Sequence, residues 1–146
     1  MEKVAISACL LGELCRYDGT TKQVNGVVKA FKDVQIIPFC PEAPDLGTPR
    51  ERISIVCSKK EGCRVIGDES GRDVTGLIEA QTQKLIDEHP DLEEIVLKSK
   101  SPSCGLGTTP ILNEAGEIIR YDNGIAAAML LKAYPKIDIS DEKSFA

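Results

Sequence analysis

The sequence is poor in several features that would point to common functions. It holds no apolar run near the roughly 20 residues that span a bilayer, since the longest, around residues 36–40 and 125–131, are much shorter. Its first residues lack the basic and hydrophobic regions of a signal peptide. We therefore expect no membrane span, no export and a cytoplasmic location.

Positive charge is also scarce. The 18 Lys and Arg residues are outnumbered by 23 Asp and Glu residues, which gives a formal net charge of -5 at pH 7. The chain therefore has no global positive field to hold a polyphosphate backbone. No DNA-reading helix is recognisable either, so we expect no nucleic acid partner.

Histidine is nearly absent, whereas cysteine is not. The single histidine, His89, precedes Pro90 at a predicted helix end, where we expect an exposed structural role. A zinc site built from cysteine and histidine is thus disfavoured. Six cysteines in a chain without an export signal are expected to be reduced thiols, which favours metal binding or catalysis over disulfide crosslinks.

The 146 residues suffice for one domain, and we expect a single domain over residues 1–146. Short apolar runs rich in β-branched residues predict strands at residues 3–8, 34–39, 94–98 and 137–139. Apolar residues at helical spacing predict helices at residues 24–31, 74–89 and 124–134. Turn signals predict two small hairpin insertions, residues 52–57 with 64–66 and 111–112 with 118–119. This alternation is typical of an α/β fold with a mainly parallel sheet and helices on both faces.

Three cysteines follow predicted strands. In sheets whose strands are joined by helices, ligands bind beyond the carboxyl ends of the strands. Cys9, Cys40 and Cys104 occupy these positions, so their sulfur atoms converge if the strands are parallel neighbours. A cysteine can also fill a core as a small hydrophobe. All three lie in loops with glycine and proline, which favours a ligand role over core filling.

The ligand type narrows the choice of metal. Three thiolates without imidazole favour a soft ion or an iron-sulfur cluster. A 4Fe-4S cluster normally takes four thiolates, so three would leave one iron open to substrate. Cys57 and Cys63 flank a predicted turn and fit a cross-strand thiol pair or plain packing. Cys15 is interpreted as a spare thiol.

Two polar residues belong to the same loops. Glu42 lies two residues from Cys40, and Ser101 lies three residues from Cys104. A carboxylate over a metal site can move a proton on and off water or a substrate nitrogen. The ordinary alternatives are a solvated loop acid for Glu42 and a turn former before Pro102 for Ser101, and taken alone the two residues favour these alternatives.

Taken together, the loop sequences resemble the thiouracil desulfurases, a family long described as a domain of unknown function. The resemblance is carried by SACLLG at residues 7–12, RYDG at 16–19, CPE at 40–42, TPR at 48–50, DVT at 73–75, KSKSPSCG at 98–105 and GIAAA at 124–128. These motifs keep the family's order and cover nearly the whole chain. Residues 43–47 and 51–54 depart from the usual family pattern.

The resemblance implies a Rossmann-like α/β domain that holds a 4Fe-4S cluster through Cys9, Cys40 and Cys104. It implies removal of sulfur from a small thiolated substrate, 2-thiouracil, to give uracil and sulfide without net redox change. The sulfur would be bound by the iron that lacks a protein ligand. Glu42 and Ser101 match the glutamate and serine that assist attack by water in the family.

Two other classes of function compete with this hypothesis. A non-enzymatic iron-sulfur or metal-binding sensor could use Cys9, Cys40 and Cys104 to report redox state or iron supply. The acidic charge and the lack of a DNA-reading helix weaken that hypothesis. A thiol enzyme with Cys104 as nucleophile is the third hypothesis, and it lacks a histidine base.

Overall fold

The computed structural model describes residues 2–12, 17–18, 23–47 and 50–145. The strands in these ranges are β1 Lys3–Ser7, β2 Gln35–Phe39, β3 Ile53–Ser58, β4 Gly62–Gly67, β5 Glu94–Leu97, β6 Thr109–Leu112, β7 Ile118–Asp122 and β8 Asp138–Asp141. The α-helices are α1 Asn25–Ala30, α2 Ala43–Leu46, α3 Thr75–Glu88 and α4 Ile125–Ala133, and short 3-10 helices cover Ala8–Leu11 and Glu142–Phe145.

The first sheet contains the strands that the sequence predicts most clearly. Its order is β2-β1-β5-β8, and each neighbouring pair is parallel. Val4 of β1 lies opposite Ile36 of β2 on one side and Glu94 of β5 on the other. Because all four strands run in one direction, their carboxyl ends share one edge. The predicted mainly parallel sheet of an α/β fold is confirmed.

Helices cover both faces of this sheet. On one face, the buried Val4 and Ile6 pack with Val27 and Phe31, from α1 and the turn that follows it. The opposite face joins a larger core that also contains α3 and α4 and includes Ala5, Ile78, Ile95, Leu97 and Leu130. Burial of each large aliphatic side chain contributes about 1.5–3 kcal/mol. The inner strands β1 and β5 are therefore apolar on both faces, as their sequences predict.

The two predicted hairpins form, but they are not separate insertions. β3 pairs with β4 and β6 pairs with β7 in antiparallel fashion, while β3 and β6 pair in parallel through Ile55 and Ile111. The result is a second four-stranded sheet of order β4-β3-β6-β7. Turn residues signal each hairpin locally, whereas the parallel pairing joins residues far apart along the chain. Ile53, Ile55 and Ile111 bring this sheet against the larger core.

The helix ends lie close to their predicted positions. α3 ends at Glu88, two residues before Pro90, and α4 ends at Ala133, two residues before Pro135. The four-residue helix α2 was not predicted because one turn is too short to show helical spacing. Within the described ranges, every helix falls short of the length and apolar character that crossing a membrane requires.

Candidate active site

The carboxyl edge of the first sheet brings together the three cysteines that follow its strands. Cys9 lies in the 3-10 helix after β1, Cys40 directly follows β2, and Cys104 lies in the loop between β5 and β6. All three line one cavity of about 100 Å³. The structure records each as a thiol, with Cys9 and Cys104 buried and Cys40 half-buried. The parallel arrangement of β2, β1 and β5 accounts for this juxtaposition.

The ligand type of the cavity is that of a soft ion or an iron-sulfur cluster. In the part of the chain that the structure describes, no three His, Cys, Asp or Glu side chains lie close enough together to hold one metal ion. Cys9, Cys40 and Cys104 nevertheless line one cavity. A cubane has its irons at separate corners and takes cysteine thiolates as ligands. The donor set of three cysteines fits such a group.

Each sulfur also has a defined polar environment. The Cys40 Sγ accepts a hydrogen bond of 3.4 Å from the Ala43 N–H. Burial raises the pKa of the Cys104 thiol well above its usual range, and the nearby Glu42 and Cys40 add to this. A hydrogen bond from Ser7 acts in the opposite direction on that pKa. A bound metal centre would favour the thiolate form of Cys104, because metal ligation requires deprotonated cysteine.

Glu42 lies in the cavity wall and not in solvent. Its Oε1 accepts hydrogen bonds from the Arg50 Nε at 3.3 Å and Nη2 at 3.2 Å. Its Oε2 accepts a bond of 2.8 Å from the Ser103 hydroxyl. The side chains of Glu42 and Arg50 are only 12% and 7% exposed. The interpretation of Glu42 as a solvated loop acid is therefore wrong.

Ser101 combines a structural contact with a place in the cavity. Its hydroxyl oxygen accepts the Ser103 N–H at 3.2 Å and the Cys104 N–H at 3.1 Å, as expected of a turn former. It also lines the cavity beside the three cysteines. Because both bonds use the oxygen as acceptor, the hydroxyl hydrogen is left to donate towards a ligand. The two interpretations of Ser101 are thus compatible.

Four further residues with polar side chains line this cavity, and sequence reasoning did not single them out. They are Ser7, Tyr17, Arg50 and Lys98. The Arg50 N–H donates to the Tyr17 carbonyl at 2.5 Å, which ties the segment after α2 to the described residues that follow the 3-10 helix. Each of the four belongs to a quoted motif, but their side-chain types alone indicate no particular chemistry. Membership of those motifs was the signal that could have identified them.

Cys57, Cys63 and His89 lie apart from the site. Cys57 and Cys63 face each other across β3 and β4 and form a disulfide. The predicted cross-strand pair is confirmed, whereas the expectation that these two cysteines are reduced thiols is wrong. His89 is half-buried at the end of α3, not exposed as predicted, and it does not line the cavity. Cys15 lies outside the described residues.

The fold and the site together define an α/β protein with a cysteine-lined cavity of the kind that holds a metal cluster. The chain belongs to the 2-thiouracil desulfurase family, whose model matches residues 4–142. It is 31% identical over 137 residues to the Bacillus subtilis (strain 168) protein described as uncharacterized protein YbbK, with 89% of this chain and 90% of that protein covered.

A solved structure supports the same assignment. The fold is similar to that of TudS, described as a 4Fe-4S-dependent thiouracil desulfidase, with a TM-score of 0.74 and 29% sequence identity. The similarity covers 99% of this chain and 93% of TudS. The predicted family and enzyme class are confirmed, and the predicted cofactor agrees with the description of TudS. The sensor hypothesis is not favoured, while the single-domain and cytoplasmic assignments stay predictions.

Proposed function

We propose that this protein hydrolyses the carbon-sulfur bond of a thiolated pyrimidine such as 2-thiouracil, giving uracil and sulfide. Cys9, Cys40 and Cys104 would hold a 4Fe-4S cluster, and Glu42 and Ser101 would act on the substrate and water. The observation that carries the proposal is the cavity lined by all five of these side chains.

The cofactor and the protein would contribute different chemistry. When bound, the cluster would supply a Lewis acid with affinity for the soft sulfur of a thiocarbonyl group. The protein supplies three thiolates, a carboxylate and a hydroxyl in a largely buried wall. In the reaction, a carbon-oxygen bond forms and a carbon-sulfur bond breaks, with one water consumed and no electrons exchanged.

Glu42 is suited to move the proton of the attacking water. Its carboxylate lies against the cavity and can take a proton from water as oxygen attacks the thiocarbonyl carbon. The same proton can then pass to the departing sulfur or to a ring nitrogen. Because Arg50 and Ser103 already bond to both carboxylate oxygens, the group is held in place before substrate binds.

Ser101 is suited to orient the reacting groups. Two backbone N–H donors fix its oxygen, so its hydroxyl hydrogen has a limited range of directions. Donation of that hydrogen to a polar atom of the pyrimidine or to the water would align the two for attack. Ser101 therefore positions while Glu42 exchanges the proton.

The proposal is tested by anaerobic reconstitution with iron and sulfide, followed by counting of both elements and visible absorption spectroscopy. The reconstituted protein should release uracil and sulfide from 2-thiouracil in equal amounts. Protein treated in parallel with a chelator should release neither. A protein that binds the cluster but releases no sulfide from any thiolated base would contradict the proposal and would favour the sensor hypothesis.

A further inference from the structure

We propose that Ser103 is a positioning residue for the reaction, because it holds both Glu42 and Ser101. This inference rests on the proposed function of those two residues. Ser103 lies in the loop between β5 and β6, one residue before Cys104, whereas Glu42 follows β2. The contact between Ser103 and Glu42 therefore joins two loops that carry cluster ligands.

The side chain of Ser103 acts on Glu42. Its hydroxyl donates to the Glu42 Oε2 at 2.8 Å, while Arg50 donates to Oε1. With one partner on each oxygen, the carboxylate plane is fixed and cannot turn freely. A hydrogen bond to a charged acceptor is also stronger than a neutral one. Loss of the Ser103 hydroxyl would leave Oε2 without its partner and let the carboxylate reorient.

The backbone of Ser103 acts on Ser101. Its N–H donates to the Ser101 Oγ at 3.2 Å, beside the N–H of Cys104 at 3.1 Å. One residue thus contacts Glu42 through its hydroxyl and Ser101 through its amide. The two contacts can be separated experimentally, because a change of side chain removes the first and keeps the second.

Ser103 is itself fixed by α4. Its carbonyl accepts the Ala127 N–H at 3.0 Å. Gly124, at the start of α4, packs so closely that a Cβ there would collide with the Ser103 backbone. Ser103 is 0% exposed and does not line the cavity. It therefore acts through Glu42 and Ser101 without touching substrate.

Ser99 provides a matched control within the same loop. It is also buried, and its hydroxyl donates to a carboxylate oxygen, the Glu142 Oε2, at the same 2.8 Å. Neither Ser99 nor Glu142 lines the cysteine cavity. The variants Ser103→Ala and Ser99→Ala thus each remove a hydrogen bond from a serine to a carboxylate in the same loop, and Ser99→Ala also removes an acceptor of the Lys98 Nζ at 3.3 Å. Only the first bond reaches a residue of the proposed reaction.

The experiment compares the reconstituted wild-type protein with both variants. We expect Ser103→Ala to keep its cluster absorption and its KM, and to lose about 10- to 100-fold in kcat, the scale of a misplaced reacting group. Ser99→Ala should keep kcat near the wild-type value. A crystal structure of Ser103→Ala should show the Glu42 carboxylate in altered or multiple orientations.

A double variant separates positioning from general destabilisation. If Ser103 acts through Glu42, then Ser103→Ala should lower kcat little further in a Glu42→Gln background. Additive losses in kcat, a normal kcat for Ser103→Ala, or equal losses for Ser103→Ala and Ser99→Ala would each overturn the inference. Loss of the cluster from Ser103→Ala alone would overturn it too. An inactive wild-type protein that holds its cluster would instead refute the proposed function.

Discussion

The hydroxyl oxygen of Ser7 accepts a hydrogen bond of 2.9 Å from the backbone N–H of Lys98. Ser7 ends β1 and Lys98 directly follows β5, so this bond joins the carboxyl ends of two neighbouring strands. Both residues line the cysteine cavity, and Ser7 is buried. The Ser7 hydroxyl also bonds to Cys104 and lowers the pKa of that thiol, against the larger effect of burial.

Substitution Ser7→Ala should lower the free energy of unfolding and remove a hydrogen-bond donor to the Cys104 sulfur. The half-buried Lys98 N–H would lose its partner, so the free energy of unfolding should fall by about 1–3 kcal/mol. With one donor fewer to the Cys104 sulfur, the reduction potential of a bound cluster should become more negative. Chemical denaturation and redox titration by visible spectroscopy measure the two effects. An unchanged potential would show that Ser7 does not contact the ligated sulfur.

Replacement of a ligand cysteine should abolish the cluster. In Cys9→Ser, Cys40→Ser or Cys104→Ser only two thiolates remain, and an oxygen ligand is a poor donor to a soft metal centre. The matched control is the double variant of Cys57 and Cys63 to serine, because this pair lies in the second sheet, away from the cavity. Iron and sulfide counting after reconstitution should separate the control from the three ligand variants. Equal iron content in all four proteins would contradict the ligand assignment.

Substitution Glu42→Gln should separate chemistry from cluster binding. The amide keeps the size of the side chain but cannot take a proton from water, so turnover should fall by about 10²-fold or more. The cluster absorption should stay at the wild-type level, because Glu42 is not among the predicted ligands. Sulfide release is the measured quantity. A variant that loses its cluster would show a structural role for Glu42 instead.

Substitution Ser101→Ala should lower both turnover and stability. The N–H groups of Ser103 and Cys104 would lose the hydroxyl oxygen that accepts them, which costs about 0.5–2 kcal/mol in comparable caps. Sulfide release should fall as well, because the hydroxyl that orients water or substrate is removed. Ser101→Thr keeps a hydroxyl, so it should restore the free energy of unfolding that Ser101→Ala loses. If Ser101→Ala loses stability and keeps full turnover, the turn-forming role is the complete account of Ser101.

The cysteine arrangement was predictable because it depends on a general property of parallel sheets. The strands before Cys9, Cys40 and Cys104 are short apolar runs, and parallel strands place their carboxyl ends at one edge. The position of each cysteine after its strand was therefore enough to predict that they share one end of the fold. The roles of Glu42 and Ser101 came from the family resemblance, since their residue types alone favoured ordinary loop functions.

Other parts of the structure could not be predicted in this way. The contact between Glu42 and Ser103 joins residues 61 positions apart, and no sequence periodicity encodes such a pair. The parallel pairing of Ile55 with Ile111 likewise joins residues far apart along the chain, and no turn signal encodes it. Both depend on which strands become neighbours within each sheet, which is a tertiary property. Local patterns predicted the hairpins but not the sheet that they form.

Asp73 should titrate far below an ordinary aspartate. The Arg64 Nε donates to its Oδ2 at 2.7 Å, and this bond is the largest cause that lowers the pKa of Asp73 to about 2, with Thr75 adding to the effect. Burial acts in the opposite direction and is the second-largest cause. Substitution Arg64→Gln should therefore raise the pKa of Asp73 towards 3.8, its ordinary value. NMR titration of the Asp73 carboxyl in cluster-free protein measures this shift.

The ion pair between Arg64 and Asp73 should make the free energy of unfolding depend on pH. A carboxyl with a lowered pKa in the folded state stabilises the fold above its unfolded pKa, and this contribution is lost as pH falls from about 4 towards 2. Because Arg64 and Asp73 are 40% and 38% exposed, solvent screens the pair and its contribution to stability at neutral pH should be small. The difference in unfolding free energy between wild type and Arg64→Gln should shrink as pH falls through that window. Arg120→Gln, which removes an arginine from another exposed pair, should leave the Asp73 titration unchanged. A wild-type Asp73 that titrates near 3.8 would show that the ion pair does not persist in solution.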